Sequence, residues 1–168
     1  MSVIFKIGSD LVDVVREDLL KPHPFAAERV GFLSCRPRRL NANGLILLAH
    51  GYHSVADCDY VNDPTVGAMM GSAAIRKAMQ VALSSDAGMF HVHVHGHSGR
   101  PSPSRTDLHE TARFVPDFWN VRPRMPHGAV ILSEDSLSGR CWRPGVKQPV
   151  VITEFCVVGP RLSWIKDR

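Results

Sequence analysis

Between Met89 and His97, histidine stands at every second position: His91, His93, His95 and His97. That alternation constrains the chain more than any other stretch of it. Residues two apart in an extended strand point to the same face, so a strand from Met89 to about His95 sets the imidazoles of His93 and His95 side by side. A catalytic zinc site takes three protein ligands and keeps one position for water. After the histidines the next carboxylate is Asp107, beyond a Gly/Pro/Ser loop from Gly96 to Pro103 and at the start of a helix opened by Ser104. A strand, a tight loop and a helix N-terminus can bring these three groups together, and two histidines with one carboxylate make a zinc shell that acidifies a bound water.

Each part also has a plainer reading. Alternating histidines can line the polar face of an edge strand, and Ser104-Arg105-Thr106-Asp107 can be no more than a helix capping box. Their order along the chain favours the metal site. His95 and His97 offer a second register for the ligand pair; His93 and His95 are preferred because Gly96 ends the strand before His97. His91 is either a support behind the ligands or a buried core residue. Helix geometry turns His109 away from Asp107.

The rest of the chain predicts a single mixed α+β or α/β domain over residues 1–168. Val3 to Ile7 reads as a strand, followed by a helix capped by Ser9, with Leu11, Val14, Val15 and Leu19 at helical spacing and the prolines 22 and 24 as its stop. Val30 to Cys35 and Leu45 to Ala49 read as a hairpin, ended and turned by Pro37 and Asn41-Ala42-Asn43-Gly44. Thr65 to Leu83, with Val66, Met69, Met70, Ile75 and Met79, predicts a helix whose Met stripe packs a core. The helix from Ser104 carries Leu108, Ala112, Val115 and Trp119, and Ala129 to Ser133, Gly139 to Trp142 and Val150 to Val158 read as strands.

Composition removes several alternatives. The charge of +4 is too modest to argue for nucleic acid, and the Arg36, Arg38, Arg39 cluster fits an acidic partner and a solvated turn about equally well. No apolar run approaches the roughly 18 residues of a membrane span. The N-terminal stretch has no long apolar region or small-residue cleavage site, so the expected compartment is the cytoplasm. Cys35, Cys58, Cys141 and Cys156 lack C-x-x-C spacing and read as buried reduced thiols.

His93-Val94-His95, a loop with Pro101 and Pro103, then Ser104-Arg105-Thr106-Asp107 resembles the H-x-H, spacer, S-x-x-D motif of JAMM/MPN zinc metalloproteases. Ala27-Glu28-Arg29-Val30-Gly31-Phe32-Leu33 resembles the early strand that carries that family's catalytic Glu. His23-Pro24 matches the preceding helix end, and His127 to Ser133 the strand after the motif's helix. The resemblance runs from about Ser9 to Trp142. It departs in Gly96, where most members have Pro, and in a spacer one residue longer than the commonest form.

The resemblance implies an MPN sandwich, related to the cytidine-deaminase fold, holding Zn2+ on His93, His95 and Asp107. It implies that Glu28 moves protons for the attacking water and that Ser104 stabilises an oxyanion. The implied activity is isopeptidase or peptidase cleavage after the C-terminal tail of a ubiquitin-like protein. The chain is most like stand-alone bacterial members that accompany ubiquitin-like proteins and their activating and conjugating enzymes, in some cases in antiphage operons. The alternatives are an MPN scaffold without metal and a zinc hydrolase acting on a small molecule; the lack of a P-C-x-x-C element argues against a nucleotide deaminase. Oligomeric state stays open.

Overall fold

A computed structural model of the protein describes residues 2–23, 26–41, 43–63, 65 and 67–166. Pro24, Ala42 and Val66, assigned above to a helix stop, a turn and a helix face, lie outside these residues. The described chain runs β1 (Ser2–Gly8), α1 (Ser9–Leu19), β2 (Val30–Asn41), β3 (Gly44–Ser54), β4 (Tyr60–Val61), β5 (Met69–Met70), α2 (Ser72–Ser85) and β6 (Gly88–Val94). It continues with α3 (Arg105–Phe114), β7 (His127–Leu132), β8 (Leu137–Trp142), β9 (Val150–Val151), β10 (Glu154–Val158) and β11 (Ser163–Lys166).

Nine strands form one mixed sheet in the order β11-β10-β1-β3-β2-β6-β7-β8-β9, and β4 and β5 pair separately. The β1–β3, β1–β10 and β6–β7 pairs are parallel and the rest antiparallel. Period-two alternation explains the layering. On β2 and β6, Leu33, Phe90 and Val92 join Val12, Val15 and Leu19 of α1 in one core. Their alternates Val30, Phe32 and Met89 join Ala74, Ala78 and Ala82 of α2 and Phe118 in a second core. The sheet is therefore buried on both sides at its centre, and His91 and His93 belong to the face covered by α2 and α3.

Several boundaries differ from the sequence expectation. Ser9 does not cap α1: Gly8 is the N-cap, without a side-chain hydrogen bond, and Ser9 Oγ donates to Asp10 Oδ1 at 3.2 Å. Val14 is exposed and Val12 buried in its place. Pro37 does not end β2. Beyond Cys35 the strand pairs only with β3, so the absent N–H lies where β2 has become an edge. The arginines 36, 38 and 39 thus project from a strand rather than a turn, and are exposed. The helix expected from Thr65 starts only at Ser72, after Gly71, because Met69 and Met70 form β5. The helix from Ser104 tightens into a 3₁₀ turn over Val115–Asn120, where Pro116 supplies no N–H. The expected strand from Val150 divides into β9 and β10, and β11 was not foreseen. Cys58 is exposed, while the other three thiols are buried, all four free. Among the described residues no helix is long and apolar enough to cross a membrane.

Candidate metal centre

Strand β6 delivers His91 and His93 to the α3 face, and the chain then stays extended for one more pairing: the His95 amide donates to the Leu132 carbonyl at 2.8 Å. The loop that follows is fastened to the β7–β8 turn. Glu134 N donates to His97 O at 3.1 Å, Gly99 N to Asp135 Oδ1 at 2.7 Å, and the buried Ser133 hydroxyl to Gly99 O at 2.5 Å. The histidine loop is thereby held by the backbone and side chains of the neighbouring turn. It returns at Ser104, the N-cap of α3, which forms a reciprocal capping box with Asp107.

These constraints bring three groups to one point. His93 Nε2 and His95 Nε2 lie 3.1 Å apart, and the Asp107 carboxylate sits 3.5 Å from the first and 3.7 Å from the second. His93 is buried, while His95 and Asp107 each keep about a fifth of their side-chain surface open, at 19% and 22%. Two imidazole nitrogens and a carboxylate oxygen converging from one side fit the donor set of a divalent metal, with access from the other. Burial pushes the Asp107 carboxyl up, but His93 beside it and the Ser104 hydrogen bonds outweigh this and hold it below the usual carboxylate range. Burial, then the neighbouring His93, lowers His95, so its free-base form is favoured. A neutral imidazole and an ionised carboxylate are the forms that bind metal.

His97 stands apart. Its ring lies 5.9 Å from that of His95, and its Nδ1 meets Ser98 O at 2.9 Å. His97 is not part of the group formed by His93, His95 and Asp107. His109 is exposed and points to Glu110, as helix geometry required. His91 is buried against Phe114 and Phe32, with ring centroids at 5.3 and 5.8 Å, and burial drives it down to about 3. It stands as a neutral imidazole beneath His93, its ring centroid 5.5 Å away, at the floor of the same groove.

Glu28 reaches the site through register. Val30 pairs with His93 at the end of the β2–β6 ladder, and Glu28 lies two residues before it, close enough for its charge to act on the His95 imidazole. Its segment is pinned on both sides. Glu28 N donates to Gly67 O at 2.9 Å, Arg29 pairs with Asp57 at 2.7 Å, and Val30 N donates to the Tyr60 hydroxyl at 2.9 Å. A Cβ on Gly67 would stand 3.1 Å from the Glu28 carboxyl carbon, so any other residue there pushes that carboxylate aside by a few tenths of an ångström. Glu28, His93, His95, Ser104 and Asp107 all line one groove of about 450 Å³, walled also by Met69, Met70, Glu110 and Arg113.

Gly67 escaped the sequence reading because nothing in the sequence marks a contact across 39 positions, 67 minus 28. Thr111 escaped it too. Its hydroxyl donates to Asp107 O at 2.5 Å one helical turn away, inside what looked like an ordinary amphipathic helix. Compared with family models and with curated proteins, the sequence matches none.

Proposed function

We propose that the chain is a zinc-dependent isopeptidase or peptidase of the JAMM/MPN type, built on the MPN sandwich, that cleaves after the C-terminal tail of a ubiquitin-like protein. The observation that carries this reading is the convergence of His93, His95 and Asp107 at a groove that also holds Glu28 and Ser104. His93, His95 and Asp107 would hold the metal; when bound, zinc supplies Lewis acidity and lowers the pKa of water toward neutrality.

The remaining work falls to protein groups. The Glu28 carboxylate, fixed by its backbone and by Gly67, accepts a proton from the attacking water and passes it to the leaving amine. The Ser104 oxygen accepts the Asp107 amide at 3.0 Å, which leaves the hydroxyl proton free to donate to an oxyanion. Among the described residues β5 pairs only with β4 while Met69 and Met70 line the groove, offering an edge to which an extended tail adds.

The test is cleavage of a ubiquitin-like protein carrying a C-terminal fusion, by zinc-loaded wild type and by Glu28→Gln. Release of the fusion by wild type alone supports the proposal. Equal release by both, or none by wild type across such modifiers, contradicts it.

A further inference from the structure

A second, smaller cavity of about 140 Å³ lies between α3 and the β7–β9 end of the sheet, and meets the metal centre at His93 and Asp107. Register explains its floor. His93, Ile131 and Ser138 stand abreast across β6, β7 and β8, and Ala129, Arg140 and Val151 stand abreast one pleat further along β7, β8 and β9. Ser138 and Arg140 are two apart on β8, so both face α3.

Two features of this slot lack an internal explanation. Ser138 is 5% exposed, yet its hydroxyl has no hydrogen-bond partner among the described residues. Buried hydroxyls are nearly always satisfied, so one left open at a cavity points to an acceptor from outside. Arg140 is half-buried, and no hydrogen bond or ion pair within the described residues engages its guanidinium. Arg100 lines the same slot. Asp107, the one carboxylate among the described residues that line the slot, is committed to His93, His95 and the Ser104 amide. Leu108, Ala129, Ile131 and Val151 give the slot apolar walls, and the Thr111 hydroxyl that also lines it is spent on the Asp107 carbonyl.

We infer that this slot is a binding subsite for a small carboxylate on a short apolar stem. A planar guanidinium pairs with a carboxylate through two parallel hydrogen bonds, and the Ser138 hydroxyl donates a third. The apolar walls suit a stem of one or two methylenes and do not suit a tetrahedral anion that is polar all round. The carboxylate can belong to a free short-chain acid, an acidic side chain or a chain terminus. If the hydrolase function proposed above holds, the subsite selects substrates with a carboxylate close to the reacting bond. The binding itself does not depend on that function.

The test uses metal-free protein, so that carboxylates cannot bind through a metal. Amide NMR is followed on titration with propionate, with N-acetylglutamate α-amide and with N-acetylalanine. Saturable shifts centred on Ser138, Gly139 and Arg140 are expected, and which acid binds tightest identifies the source. Arg140→Gln is expected to weaken binding about tenfold and Ser138→Ala severalfold, both keeping the wild-type spectrum elsewhere. No saturable shift in wild type, unchanged affinity in Arg140→Gln, or inorganic phosphate binding as tightly as the best carboxylate would each overturn the assignment. None of these outcomes touches the zinc proposal, which is read out by metal content.

Discussion

Ser104 and Asp107 hold each other. The Asp107 amide donates to Ser104 Oγ at 3.0 Å, and the Ser104 amide donates to the Asp107 carboxylate at 2.7 Å. The box that starts α3 is therefore also the device that aims a carboxylate at His93 and His95. One structural motif serves the fold and the site together, and substitutions in it separate the two roles.

Ser104→Ala removes one of the two cap bonds. It is expected to cost about 1 kcal/mol in denaturant unfolding of the metal-free protein. It also loosens Asp107, so metal affinity falls as well, while Ser104→Thr keeps both properties near wild type. Unfolding curves and metal titrations of the two variants check this. Equal metal affinity in Ser104→Ala and wild type would show that the box does not position Asp107.

Gly67→Ala tests the seat of Glu28. The new Cβ would stand 3.1 Å from the carboxyl carbon and must displace it by a few tenths of an ångström. The expected outcome is a fall in kcat of about tenfold to a hundredfold with metal content unchanged, because misplacing a reacting group is costly even over short distances. A variant with unchanged kcat would place Glu28 outside the chemistry.

Much of the site was legible because its parts obey local rules. The alternation around His93 and His95 is a strand rule, and Ser104-x-x-Asp107 is a capping rule. What local rules could not supply was distance in the chain. Met69 and Met70 carry a helical pattern up to Ile75, yet they serve β5 and the groove wall, because Gly67 and Gly71 interrupt the helix and Glu28 occupies the space beside Gly67. Ser163–Lys166 is only four residues long, too short for its Trp164 and Ile165 to set a strand pattern. It forms one because β10 offers an open edge, and Trp164 then packs toward Lys6, its ring centroid 6.0 Å from the amine. The slot at Ser138 and Arg140 depends on register across three strands, which no single segment encodes.

His127 predicts a pH dependence of stability away from the candidate metal centre. Its Nδ1 accepts the Met89 amide at 3.0 Å, its Nε2–H donates to Arg122 O at 3.2 Å, and burial lowers it to about 4. Unfolded, a histidine protonates near 6.5. The stabilisation is thus complete above about pH 6.5, and is lost as the pH falls from there to about 4, where the folded form also takes the proton. The loss approaches about 3 kcal/mol. In denaturant melts of metal-free protein, His127→Phe is less stable at neutral pH, and its stability falls less between pH 6.5 and 4 than that of wild type. Identical slopes would show that another group controls this range.

The most direct measurement is metal content by elemental analysis of purified protein, on wild type, His93→Ala/His95→Ala and Asp107→Ala. About one zinc per chain in wild type is predicted, with the metal lost from both variants. Glu28→Gln, which removes no ligand, should keep it. Wild type that takes up no zinc when it is added back under reducing conditions, or an Asp107→Ala variant with full occupancy, would contradict the account.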